Sequence, residues 1–336
     1  KIEYQNKMSV ISKKLVEVHV EEKRIQSDIE SENKLYSSNI YIGSVNHRES
    51  NWFNGYDEKY LNESIAENCY SFVLVDWMNV KILDLVSSRH IDKLSVYFSR
   101  IDPKIRSNVK YITMDMYDTY LRIAKTYFNN AIVAVDSFHV IQNLTKAFDK
   151  IRIKHMHNYD LGVSLEENDE NYYLLKKYNN LLFKLNTSLS IDLKYNKKLH
   201  MHISDHDIVS YILKIDPEIN KAYWLMQKYL EFNLNRSRES ASKEIDDIIY
   251  NFLYSKIKSY EEFAITLYNW KEYILNSFIY IYDPKRNKKR RLSEGPIEGM
   301  NSQIAKIHRN ANGYKSFDRF RKITIYKINK FLPYKL

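Results

Sequence analysis

At 336 residues with 44% hydrophobic content, the chain has enough apolar material for one large domain or two ordinary ones, each with a real core. Its 52 Lys and Arg against 42 Asp and Glu leave a net charge of +10, which favours a polyanionic partner over an acidic one. A single cysteine, Cys69, excludes an internal disulfide and any cysteine-rich zinc site; no apolar run approaches the ~20 residues of a membrane span and no signal peptide is visible, so the expectation is a cytoplasmic protein with no membrane partner.

Residues 1–40 are charged, with weak Val and Ile alternation, and read as a helix or a lead-in. The segment Asn51 to Tyr60, the apolar run Phe72-Val73-Leu74-Val75 and the alternating Val80 to Val86 suggest three consecutive strands, with Asp76 to Asn79 as a hairpin turn. Ile91, Leu94, Val96, Tyr97 and Ile101 recur at helical spacing, and Pro103 closes that helix. Val109 to Met114 follows as a strand ending at Asp115, then a helix from Tyr117 to Phe128. Ala131 to Val135 is wholly apolar, as a strand buried on both faces would be, and it ends at Asp136 before a helix begins near His139. A three-stranded meander followed by alternating helices and strands is the ribonuclease H-like order, an α/β fold with a mixed sheet and helices on both faces.

Beyond Asn143 strand signals vanish. Helices are expected over Tyr172 to Leu185, Asp205 to Ile215, Pro217 to Asn233, Glu239 to Ile257 and Tyr260 to Phe278, with Ser204 at a helix start and Pro217 at a first helical position. The expected organisation is therefore a lead-in (1–40), the first part of the sheet domain (41–142), an all-α insertion (143–284) and a return to the sheet domain (285–336). That return opens with the basic run Lys285, Arg286, Asn287, Lys288, Lys289, Arg290 and Arg291, followed by a helix from Pro296 to Ala311.

Phosphodiester transfer by two metal ions needs several carboxylates converging on one point, and hard oxygen donors suit Mg²⁺. Asp57 and Asp115 each lie at or just beyond an expected strand, where side chains distant in sequence converge. The bland alternative is that each caps the helix or turn that follows. Glu298 falls in the first turn of its helix, beside a stripe of Ile297, Met300, Ile304 and Ile307; a carboxylate there also complements the helix dipole. The upstream basic run, together with Asn301, Lys306 and Arg309 on the same helix, would surround Glu298 with groups that bind DNA phosphates. Trp224, Tyr229, Phe232 and Trp270 could stack on bases, but most of them read as core.

Three segments carry a recognisable pattern: Val109 to Tyr117 around Asp115, Ile132 to Val140 around Asp136 and His139, and Gly295 to Ile304 around Glu298. In this order they resemble the DDE transposases of bacterial insertion sequences, specifically the ISL-three group, and Gly313 to Arg321 resembles that family's ending. The resemblance implies that Asp57, in Gly55-Tyr56-Asp57-Glu58, is the first acid, with Glu58 as its rival, Asp115 the second and Glu298 the third. It implies that Asp136 and His139 form a D-x-x-H element near the active site; by pattern alone they are a helix cap and a half-buried histidine. It also implies two Mg²⁺ (or Mn²⁺) ions per site, transposon ends and target DNA as partners, a homodimer on DNA, and a prokaryotic, nucleoid-associated location. The cysteine zinc module usual in the family is not carried by a chain with one cysteine. Two other readings remain: a domesticated derivative that binds DNA without cutting, and a ribonuclease H-like nuclease or resolvase without strand transfer.

Overall fold

The computed structural model describes residues 39–47, 69–159, 166–235, 237–292, 297–310, 314 and 316–329. They fall into two compact units, one comprising residues 1–133 and 295–336, the other residues 134–294.

The first unit is built on a sheet of five strands. β1 (Asn39–His47), β2 (Cys69–Asp76) and β3 (Lys81–Val86) form an antiparallel meander; β4 (Tyr111–Met114) runs parallel to β1, and β5 (Ile132–Val135), within which the unit boundary falls, lies beyond β4. The order is β3-β2-β1-β4-β5. Ser71 to Val75 of β2 are all buried, which in a strand of period two requires cover on both faces. On one face the Phe72 ring meets Phe98 of α1 (Ile91–Ser99) and Tyr120 of α3 (Asp118–Tyr127), edge to face at 5.7 and 5.6 Å. On the other, Val73 and Val75 share a cluster with Ile82, Leu85, Met300 and Ile304 of α11 (Ile297–Asn310) and Phe320 of α12 (Phe317–Asn329). Each fully buried side chain of this size contributes about 1.5–3 kcal/mol.

β3 is an edge strand, and its exposed backbone is a template for unwanted pairing. Asn329, at the end of α12, occupies it: its Nδ2 donates to the Ile82 carbonyl at 2.8 Å and its Oδ1 accepts from the Ile82 N–H at 3.1 Å. Asp84, also on β3, accepts from Tyr97 Oη and Arg321 Nη2, both at 2.9 Å, tying α1 and α12 to the same strand.

The second unit centres on α4 (Ser137–Asn158), against which α8 (Pro217–Phe232) and α10 (Lys258–Asn276) pack; α9 (Arg238–Leu253) packs on α10. α5 (Glu166–Lys177), the short α6 (Asn179–Leu182) and α7 (Asp205–Ile215) complete its helices. Ser204 opens α7 through a capping box with Asp207, and Pro217 stands at the start of α8, as the sequence predicts. No helix among the described residues is long and apolar enough to cross a membrane.

Three expectations are corrected. The strand preceding β2 in the meander is Asn39–His47, not Asn51–Tyr60, which lies outside the described residues, as does residues 1–38. Pro103 opens a helix instead of closing one: α2 (Pro103–Ser107) has Pro103 at its first position, where a missing N–H costs nothing, and Asp102 as its cap. The insertion expected over 143–284 is not all-α: it contains the hairpin of β6 (Lys194–Asn196) with β7 (Met201–Ile203), and at its end β8 (Tyr280–Asp283), which pairs with β9 (Lys288–Arg291) just beyond it. These strands are short and largely exposed, so they carry no apolar alternation to reveal them.

The hairpins at Asp76, Asn196 and Asp283 share one device. Each has a four-residue turn opened by an Asx residue whose side chain accepts backbone N–H groups of the turn, and each turn ends on a residue with left-handed backbone, Val80 (φ 55°), His200 (φ 52°) or Asn287 (φ 48°).

Candidate active site

Asp115 follows the last residue of β4, at the mouth of the sheet beside β1, to which it is tied by its N–H donating to the Ile42 carbonyl at 3.3 Å. It is half-buried. The cap position of α3 is held by Tyr117, whose side chain makes no cap hydrogen bond, so Asp115 is not the cap residue of that helix. Asp57 and Glu58 lie outside the described residues. β1 itself, Asn39 to His47, has no Asp or Glu, so a carboxylate joining Asp115 must come from another segment.

One such segment is α11, which lies against β1. Glu298 is its second residue. Asn301 is one turn further on, half-buried, and its Oδ1 has no hydrogen-bond donor among the described residues. Lys306 and Arg309 on the same helix are exposed.

Asp136 does act as a cap. Buried, it precedes α4 and accepts from the Phe138 N–H at 3.0 Å. His139 is half-buried, with its ring edge to face on Phe138.

The basic run splits in two. Lys285, Arg286, Lys288 and Lys289 are exposed at the tip of the β8–β9 hairpin. Arg290 and Arg291 are buried, which corrects their expected role as phosphate contacts: their guanidinium groups are committed within the fold. Arg291 donates to the Asn233 and Ser277 carbonyls at 2.6 and 2.9 Å, to Asn233 Oδ1 and Ser277 Oγ, and lies 3.7 Å over the Phe278 ring. Arg290 and Arg286 both donate to Asp283, at 3.1 and 2.7 Å. The Arg286 guanidinium, helped by Arg290 and two turn N–H groups and opposed by burial, holds the Asp283 carboxyl down at about 2.

Sequence reading missed a second cluster. His155 of α4 sits between two carboxylates at the start of α8: its Nε2 is 2.6 Å from Glu218 and its Nδ1 3.3 Å from Asp216. Among the described residues these three form the one group whose donor atoms are close enough to hold a metal ion. Lys154 also pairs with Glu218, at 2.7 Å, so two basic side chains already face the two acids. Burial pushes the Glu218 carboxyl up, but the hydrogen bonds from Lys154 and His155 outweigh it and the net shift is downward. Nothing in the spacing of residues 155, 216 and 218 announces this cluster, because His155 comes from a different helix.

Of the candidate stacking aromatics, Tyr229, Phe232 and Trp270 are core, and Trp224 is about half exposed. The family model described as transposase, for DDE enzymes of the ISL-three (ISL3) type, matches residues 55–324, four-fifths of the chain. No curated protein and no solved structure matches. The match spans the segments around Asp115, Asp136 and Glu298 and the basic hairpin, and the chain belongs to the ISL3 family of DDE transposases.

Proposed function

We propose that the chain is a metal-dependent DNA transposase whose first unit is a ribonuclease H-like catalytic domain. The strand order β3-β2-β1-β4-β5, with helices on both faces, supports that reading of the fold. The observation that carries the function is Asp115: a half-buried carboxylate at the end of a central strand, not the cap residue of the helix that follows, next to the strand on which the Glu298 helix packs. Oxygen donors of this kind fit Mg²⁺ or Mn²⁺. Asp57 or Glu58, Asp115 and Glu298 are the proposed ligands of two ions. When bound, such a pair activates the attacking oxygen and stabilises the leaving 3′-oxygen.

In this reading the acids would hold the ions, which would position the reacting phosphate for two reactions, hydrolysis at the transposon end and attack of the freed 3′-hydroxyl on target DNA. Lys285, Arg286, Lys288, Lys289, Lys306 and Arg309 provide salt-sensitive backbone affinity. Asp136 and His139, at the start of α4, are the proposed D-x-x-H element. Joining two ends calls for a homodimer on DNA, in the nucleoid of a prokaryotic cytoplasm.

With a labelled end substrate and Mg²⁺, Asp115→Asn should reduce cleavage by about a hundredfold or more while sparing binding; equal cutting by wild type and variant would show the site to be wrongly assigned. Joining of a labelled 3′ end into plasmid separates a transposase from a plain nuclease or resolvase. The absence of a carboxylate in β1 favours one second reading, a derivative that binds DNA without cutting, which cleavage by the wild type would eliminate.

A further inference from the structure

We infer that the β8–β9 hairpin is a preformed ribbon that enters the major groove of duplex DNA, with Asp283, Arg290 and Arg291 as its positioning residues. The inference rests on the proposed action on DNA and adds how the duplex is gripped.

The first argument is the distribution of charge. Lys288 and Lys289 are consecutive on β9, so their side chains leave opposite faces of the ribbon, and both are exposed. Lys285 and Arg286 extend the charge around the turn. A ribbon resting on one row of phosphates would need cations on one face only. Cations on both faces suit a position between two phosphate walls, and a two-stranded ribbon fits a major groove about 12 Å wide.

The second argument is the aromatic side chain among these cations. Tyr282 lies directly across from Lys289 in the register, on the same face of the ribbon, and is 53% exposed, so its ring is open to a ligand beside that lysine. In a groove it would meet base edges.

The third is rigidity. Asp283 is fully buried and accepts the Lys285 and Arg286 N–H groups at 3.0 and 3.2 Å, which sets the turn, while Arg291 fastens the base of the ribbon to Asn233 and Ser277. The tip is therefore shaped before DNA arrives and little ordering entropy is spent on binding. The buried arginines act through the exposed residues and do not themselves touch DNA.

Binding of a fluorescein-labelled duplex of mixed sequence, followed by anisotropy in EDTA over a range of salt, tests this without any cutting. Lys288→Ala and Lys289→Ala should each weaken binding several-fold and each flatten the slope of log K against log salt by about 0.9, with melting temperatures unchanged. Methyl green, which occupies the major groove, should displace the wild type; netropsin, in the minor groove, should not. Loss confined to one of the two lysines, displacement by netropsin alone, or equal losses from Lys197→Ala and Lys198→Ala in the β6–β7 turn would overturn the ribbon. If Asp115→Asn still cuts while the ribbon variants lose binding, the catalytic assignment fails and the ribbon stands. If the wild type cuts and the ribbon variants bind normally, the reverse holds.

Discussion

The two hairpins of the helical unit are made alike and equipped differently. In β6–β7 the turn is held by Asn196, a neutral amide that accepts the Lys198 and Leu199 N–H groups and is itself bonded by Tyr173 and Tyr178. In β8–β9 the same place is taken by Asp283, which accepts the corresponding N–H groups and also collects Arg286 and Arg290. The backbone needs only an acceptor; the charge is an addition. Both turns display lysines, Lys197 and Lys198 in one and Lys285 and Lys288 in the other; the difference is that the carboxylate also binds two guanidinium groups, where the amide is bonded to two tyrosines.

The largest expected effect that would sharpen this contrast is at the ribbon's base. Arg291→Ala removes the donor to two buried carbonyls and should cost about 3 kcal/mol in urea unfolding, whereas Lys197→Ala at the other turn should stay within about 0.5 kcal/mol. Arg291→Lys should recover little, because one ammonium cannot reproduce the planar fork. Comparable losses for Arg291→Ala and Lys197→Ala would break the comparison.

Acid offers a smaller, reversible probe. The Asp283 carboxyl titrates near 2 in the folded chain against an ordinary 3.8, so the stability it contributes is complete above its ordinary value and is lost as pH falls towards about 2. Asn196 has no proton to gain. Hydrogen exchange across that pH range should show β8–β9 amides losing protection as the turn anchor protonates, with no matching contribution from the turn anchor of β6–β7.

The smallest effect lies in the left-handed residues. His200 is exposed, and His200→Gly should stabilise by a few tenths of a kcal/mol by relieving its backbone. Val80 has the same backbone but packs against the core cluster around Val75 and Ile82, so Val80→Gly should gain nothing in a thermal melt.

What could be read from the sequence followed burial. β2, β4 and β5 announce themselves because they are buried and β-branched, and α7 is matched from Asp205 to Ile215 because its cap and apolar spacing agree. The meander's first strand was misplaced because Asn39 to His47 mixes Asn, Gly, Ser and His with its apolar residues. The hairpins of the helical unit escaped notice because their strands are exposed, although an Asx residue four positions before Asn or His was there as a sign. Asp115 stood out by its strand and its neighbours in sequence. The basic run looked uniform because composition cannot tell a cation facing solvent from one facing a carbonyl.

The fastening of Arg291 also bears on how this stretch can drift. Where a cation meets a diffuse field of phosphates, lysine and arginine exchange with little consequence, and in the proposed ribbon positions 285, 288 and 289 are of that kind. Position 291 reads two fixed carbonyl oxygens and an aromatic ring, so it has one acceptable occupant. Six neighbouring positive residues are thus under two different rules of replacement, and a tally of charge would miss the one whose exchange undoes the rest.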